Sequence, residues 1–159
     1  MKSATERVLV VYERTRAGAA AVDQARVLAE REHATITVVA VAPRAPSGPR
    51  CGNSAVQYNE AVADSVARDL DKAGEQLGQA AERATFLLLV DGVDQTLEQL
   101  ARSGGFDLVL LPAHWRPFRK PGHSEAARLS LIAGVEIRIV APVSPEQTRH
   151  EPRPAGAAG

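Results

Sequence analysis

Apolar residues fall along this chain in two alternating rhythms. Short β-type runs of five to seven residues appear at Arg7–Tyr12 (RVLVVY), Thr35–Val41 (TITVVAV), Ala84–Val90 (ATFLLLV), Asp107–Leu111 (DLVLL) and Val135–Val140 (VEIRIV), the last alternating apolar with charged residues. Runs of this length, rich in β-branched residues, predict strands, and those without polar alternation predict strands buried on both faces. Between them the spacing changes to three and four. Ala21, Ala25 and Leu28 form one stripe, and Val62, Val66, Leu70, Ala73 and Leu77 form a longer one. Val93, Leu97 and Leu100 form a third, stopped by Gly104-Gly105. Each stripe predicts an amphipathic helix. A fourth helix is predicted from Ser124 to Ala133, with Gly134 as a left-handed C-cap. The segment Ala42–Ser54, with three prolines and two glycines, reads as an irregular loop.

Strict β-α alternation predicts one open α/β domain with a parallel sheet, helices on both faces and right-handed crossovers. The domain is expected to span residues 1–142, with a disordered Pro/Ala/Gly/charged tail over 143–159. Ligands of such sheets bind beyond the carboxyl ends of the strands, where the strand order reverses. That directs attention to the loops after the first, second and fourth strands.

Composition narrows the function. The 19 basic and 19 acidic side chains of the 159 residues cancel, so overall charge does not steer the chain to nucleic acid or to an anionic membrane. The longest apolar runs fall well short of the roughly 18 residues that span a bilayer. The amino-terminal stretch does not read as a secretory signal. Cys51 is the only cysteine, so no intrachain disulfide can form, and a cytoplasmic protein is expected. No short Cys/His spacing predicts a metal site. Neither a Walker loop nor a G-x-G-x-x-G motif is present, and no catalytic signature is found.

The gapless stretch from Val8 to Pro43, VLVVYERTRAGAAAVDQARVLAEREHATITVVAVAP, resembles the opening of a universal stress protein. GFDLVLLPA and IAGVEIRIV resemble the fourth and fifth strands of that family. The resemblance runs from about Arg7 to Pro142 and implies a five-stranded sheet of order 3-2-1-4-5.

The same alignment marks departures. ATP-binding members of the family carry G-x2-G-x9-G-[ST] after the fourth strand, where glycine backbone wraps the phosphates. Here Ala113 stands at the first glycine and the second has no counterpart. His123-Ser124 stands at the final pair, and Trp115, Pro117, Phe118 and Pro121 fill the loop. After the first strand, Tyr12 precedes Glu13, which falls at the family's aspartate; Thr15 falls at its serine, and Val41 falls where members flank the adenine.

Several residues keep two readings. Arg116, Arg119, Lys120 and His123 form either an anion site or a solvated basic loop. Ser124 either contacts a phosphate or caps the fourth helix. Glu13 either accepts from a ribose hydroxyl or pairs with Arg14, Arg116 or Arg119. Trp115 and Phe118 either stack on a base or cover an apolar surface.

The expectation is a non-enzymatic stress-response or regulatory protein that needs no cofactor and binds ATP weakly or not at all. The alternative is a nucleotide- or phosphate-binding member with a rebuilt basic loop and slow ATP hydrolysis. A homodimer through the fifth strand is expected at Glu136, Ile137, Arg138 and Ile139, because that strand is an edge and the resembling family commonly pairs there; the competing reading makes Glu136 and Arg138 edge charges that prevent association.

Overall fold

The computed structural model describes residues 7–44, 52–113, 129, 132 and 134–142. Five parallel strands form one sheet: β1 (Arg7–Val11), β2 (Thr35–Ala42), β3 (Thr85–Val90), β4 (Leu108–Pro112) and β5 (Glu136–Val140). Their order across the sheet is β3-β2-β1-β4-β5, as the family resemblance implies. Among the described residues, three α-helices connect β1 through β4: α1 (Arg16–Glu32), α2 (Gly52–Leu77) and α3 (Leu97–Ser103).

The order reverses at β1, and with right-handed crossovers that reversal splits the helices between the two faces. One face carries Val8, Val10, Ile36, Val38, Leu108 and Leu110 against Ala21, Val22 and Ala25 of α1 and Leu70, Ala73 and Leu77 of α2. Gln76 ties these two helices together, donating to Ala19 O at 2.7 Å and to Asp23 Oδ1 at 2.9 Å. The opposite face carries Leu9, Val11, Val39, Val109 and Leu111 against Leu97, Leu100 and Ala101 of α3, with Leu129 and Ile132. The unbroken apolar runs of β1 and β4 follow from this double covering, since alternate side chains enter different cores.

Three boundaries differ from the sequence reading. The expected loop over Ala42–Ser54 ends early, because α2 begins at Gly52. At its other end α2 tightens into a 3-10 turn, Gly78–Arg83. The third helix does not include Val93. That residue is 59% exposed in the turn before Thr96, which caps α3 with a reciprocal Thr96–Gln99 pair of bonds. The spacing 93-97-100 imitates a helix period, but the T-x-x-Q capping box sets the start. Gly134 does adopt the left-handed φ of 79° expected of it. The fourth helix lies largely outside the described residues, as does the tail. No helix among the described residues is long and apolar enough to cross a membrane.

Candidate functional site

The strands β1 and β4 run together from Val8↔Leu108 to Val10↔Leu110 and then part. Their separation has a covalent cause. In a parallel ladder alternate residues address opposite neighbours. Ala113 donates to Val140 O at 2.7 Å, so it faces β5 and Pro112 faces β1. The next rung would need an amide hydrogen from Pro112, which proline lacks. Sheets of this topology form their ligand crevice at that point, where the strand order reverses.

Its floor is built from the end of β1. Tyr12 is buried and its N–H donates to Val39 O at 2.8 Å, the last bond that holds β1 to β2. Beyond it the chain folds back sharply, with Thr15 N–H donating to Glu13 O at 2.8 Å. Thr15 caps α1 by accepting from Gly18 N–H at 3.0 Å, and its hydroxyl donates to Glu13 Oε1 at 3.1 Å. Gly18 is required by contact. A Cβ there would lie 2.0 Å from Glu13 O, so only glycine lets the first turn of α1 lie against the Glu13 peptide. Together Thr15 and Gly18 fix where the Glu13 carboxyl stands.

Burial pushes the Glu13 carboxyl above the usual carboxylate range, and the Thr15 hydroxyl works against that shift. Tyr12 is also raised, first by burial and then by Asp69, with Arg14 opposing. On the neighbouring strand, Val39 addresses β1 and Ala42 addresses β3, where its oxygen accepts from Asp91 N–H at 3.0 Å. Alternation therefore turns the N–H and C=O of Val41 toward the space past the end of β1. The half-buried Val41 side chain packs on the second core.

Glu13, Thr15 and the backbone of Val41 thus lie at the carboxyl ends of β1 and β2, while the Tyr12 side chain is buried in the core of the α1/α2 face. Arg116, Arg119, Lys120, His123 and Ser124, with Trp115 and Phe118, lie outside the described residues. Cys51 does too. Glu136, Ile137, Arg138 and Ile139 sit on the β5 edge, away from the crevice, where Arg138 Nη2 meets Glu136 Oε1 at 3.3 Å. The sequence reading missed Gly18, and a glycine three residues after a helix-capping threonine was the available signal. No group of three or more His, Cys, Asp or Glu among the described residues could hold a metal ion. A separate depression of about 460 Å³, rimmed by Glu30, His33, Glu82 and Arg83, lies at the opposite end of the sheet and contributes nothing to the crevice.

A family model described as the universal stress protein family matches residues 4–147. The chain belongs to the universal stress protein family. Its fold matches solved universal stress proteins over nearly their whole length. UspA from Lactobacillus plantarum is 18% identical at a TM-score of 0.69, covering 87% of this chain and 99% of that one. A universal stress protein family member from Burkholderia pseudomallei is 22% identical at a TM-score of 0.66, covering 90% and 100%. A universal stress protein solved in complex with cAMP is 19% identical at a TM-score of 0.59, covering 89% and 100%. No curated protein matches the chain.

Proposed function

We propose that this universal stress protein is a non-enzymatic stress-response and regulatory module, and that its crevice takes an adenine nucleoside or nucleotide by the base and sugar without gripping a pyrophosphate. The observation that carries this is the supply of amide donors at the end of β4. Pro112 has none, and the N–H of Ala113 is spent on Val140 O. Phosphate sites of this topology depend on backbone N–H groups. Each charge-assisted bond lost costs about 1.5–3 kcal/mol, so two losses weaken binding by about two to four orders of magnitude. The base and sugar side is better equipped. Val41 offers backbone groups, and Glu13 has a second carboxylate oxygen for a hydroxyl donor. The cAMP complex of a structural neighbour supports the ligand class.

The assembly proposed is a homodimer through β5. Glu136 and Val140 address β4, through bonds to Asp107 O and from Ala113 N–H, so Ile137 and Ile139 turn their backbone outward. A two-fold antiparallel pairing centred on Ile137 uses those groups and sets Glu136 opposite Arg138 of the second copy.

Calorimetry with adenosine, AMP and ATP tests the binding, and native mass spectrometry reports bound nucleotide and assembly together. The expected result is an affinity for ATP no better than for adenosine, without phosphate release. Micromolar ATP binding abolished by Arg116→Ala with Ser124→Ala would overturn it in favour of the rebuilt basic loop.

A further inference from the structure

The sheet has a second edge, β3, and its sequence carries none of the charge found on β5. From Phe86 to Val90 every side chain is apolar, and all but Leu89 are only half-buried. An edge of this kind invites another strand. Asp91 N–H reaches Ala42 O, so Thr85, Leu87 and Leu89 address β2, while Ala84, Phe86, Leu88 and Val90 address the open side. At Val90 both backbone groups on that side are taken. Its N–H donates to Asp94 Oδ2 at 2.7 Å. Its C=O accepts from Val93 N–H at 3.2 Å and from Asp94 N–H at 3.0 Å. At the other end Ala84 N–H is turned back to Ala81 O at 3.1 Å. Among the described residues, the backbone groups of Phe86 and Leu88 and the C=O of Ala84 remain for a partner strand.

The partner that fits this edge is a second copy of the same strand. An antiparallel pairing about a two-fold axis at Leu87 sets Phe86 against the second copy's Leu88 and Ala84 against its Val90. The same register sets Arg83 against its Asp91, two exposed residues of opposite charge. Of the two bonds in the Ala84–Val90 rung, the one from Ala84 N–H to Val90 O is already blocked by the backbone, and the one from Val90 N–H to Ala84 O needs the amide that Asp94 holds. We infer that Asp94 is an edge lock: by occupying the amide of Val90 it denies β3 the one bond of that rung that the backbone leaves open for pairing with β3 of a second copy. The edge is thereby closed without a charge or proline inside the strand, and association is left to the other edge.

Sedimentation of Asp94→Ala against the unaltered chain tests this. The variant is expected to gain a concentration-dependent species of at least twice the unaltered mass. Adding Arg83→Glu, which sets like charges opposite in that register, should return the mass to the unaltered value. Asp94→Asn keeps an acceptor oxygen and should keep the unaltered mass. A folded Asp94→Ala with unchanged mass overturns the inference, and so does association that survives Arg83→Glu. Should Asp94→Ala fail to fold, amide exchange in the unaltered chain decides. The lock requires Val90 N–H to exchange at least about tenfold more slowly than those of Phe86 and Leu88, and equal rates would refute it.

Discussion

Gly18→Ala is the sharpest perturbation of the crevice, because helix propensity and contact geometry give opposite answers. Propensity alone favours alanine inside a helix by about 1 kcal/mol. The added Cβ, however, would lie 2.0 Å from Glu13 O and 3.0 Å from Glu13 C, both backbone atoms. Relief requires the first turn of α1 to move by roughly 1 Å, an overpacking cost of about 1–3 kcal/mol. The same movement stretches the 3.0 Å bond from Gly18 N–H to Thr15, and losing that cap costs about 0.5–2 kcal/mol. The balance is a net loss of about 2 kcal/mol, equivalent to a melting temperature lower by roughly 4–8 °C. Differential scanning calorimetry measures it directly. Nucleoside affinity should fall as well, since Glu13 moves with its peptide. A variant as stable as the parent, or more so, would mean that α1 does not press on Glu13 and that the carboxyl is not held by this turn.

Other outcomes follow from the same geometry. The folded chain holds the Glu13 proton more tightly than the unfolded chain does, so this carboxyl favours folding at acidic pH and loses that contribution as pH rises through its raised folded value. Glu13→Gln should therefore be the more stable form near pH 7, with the difference closing in acid, as read from denaturant midpoints at both pH values; a parent more stable at neutral pH would contradict this. Thr15→Ala should cost about 1 kcal/mol in urea unfolding, while Thr15→Ser stays close to the parent because the hydroxyl is kept. Arg138→Glu should weaken a β5 dimer in sedimentation by setting like charges opposite, and Glu136→Arg added to it should restore the mass.

The sheet was legible because its signals are local and mutually consistent. RVLVVY and DLVLL are apolar at every inward position of a doubly covered strand, and their shortness and flanking breaks separate them from a buried helix segment. Gly134 likewise announced its left-handed turn. The third helix was misread because Val93 falls one turn before Leu97, and periodicity cannot see that Asp94 ties back to Val90 and that Thr96 caps the helix. At the crevice, the type and place of Glu13, Thr15 and Val41 were readable. What made them a site was not. The contact between Gly18 and Glu13 O depends on how closely a helix approaches a strand end. The outward turn of Val41 depends on ladder phase. Neither leaves a trace in composition or spacing.

The parting of β1 from β4 at Pro112 also bears on how the chain assembles. β1 meets β2 across about 28 residues, but Arg7 must find Asp107 across 100, to which its N–H donates at 2.9 Å. Closing the longer loop costs about 1 kcal/mol more in chain entropy, so β1, β2 and β3 have the head start in folding. The β1–β4 seam is then the late join between two halves, and a proline at its upper end keeps it short. Substitutions along that seam should chiefly speed unfolding and leave the refolding rate almost unchanged. The crevice that would take a ligand lies at the mouth of this join, so an occupant bridging Glu13 and the end of β4 would act as a kinetic clamp, slowing the escape of one half from the other.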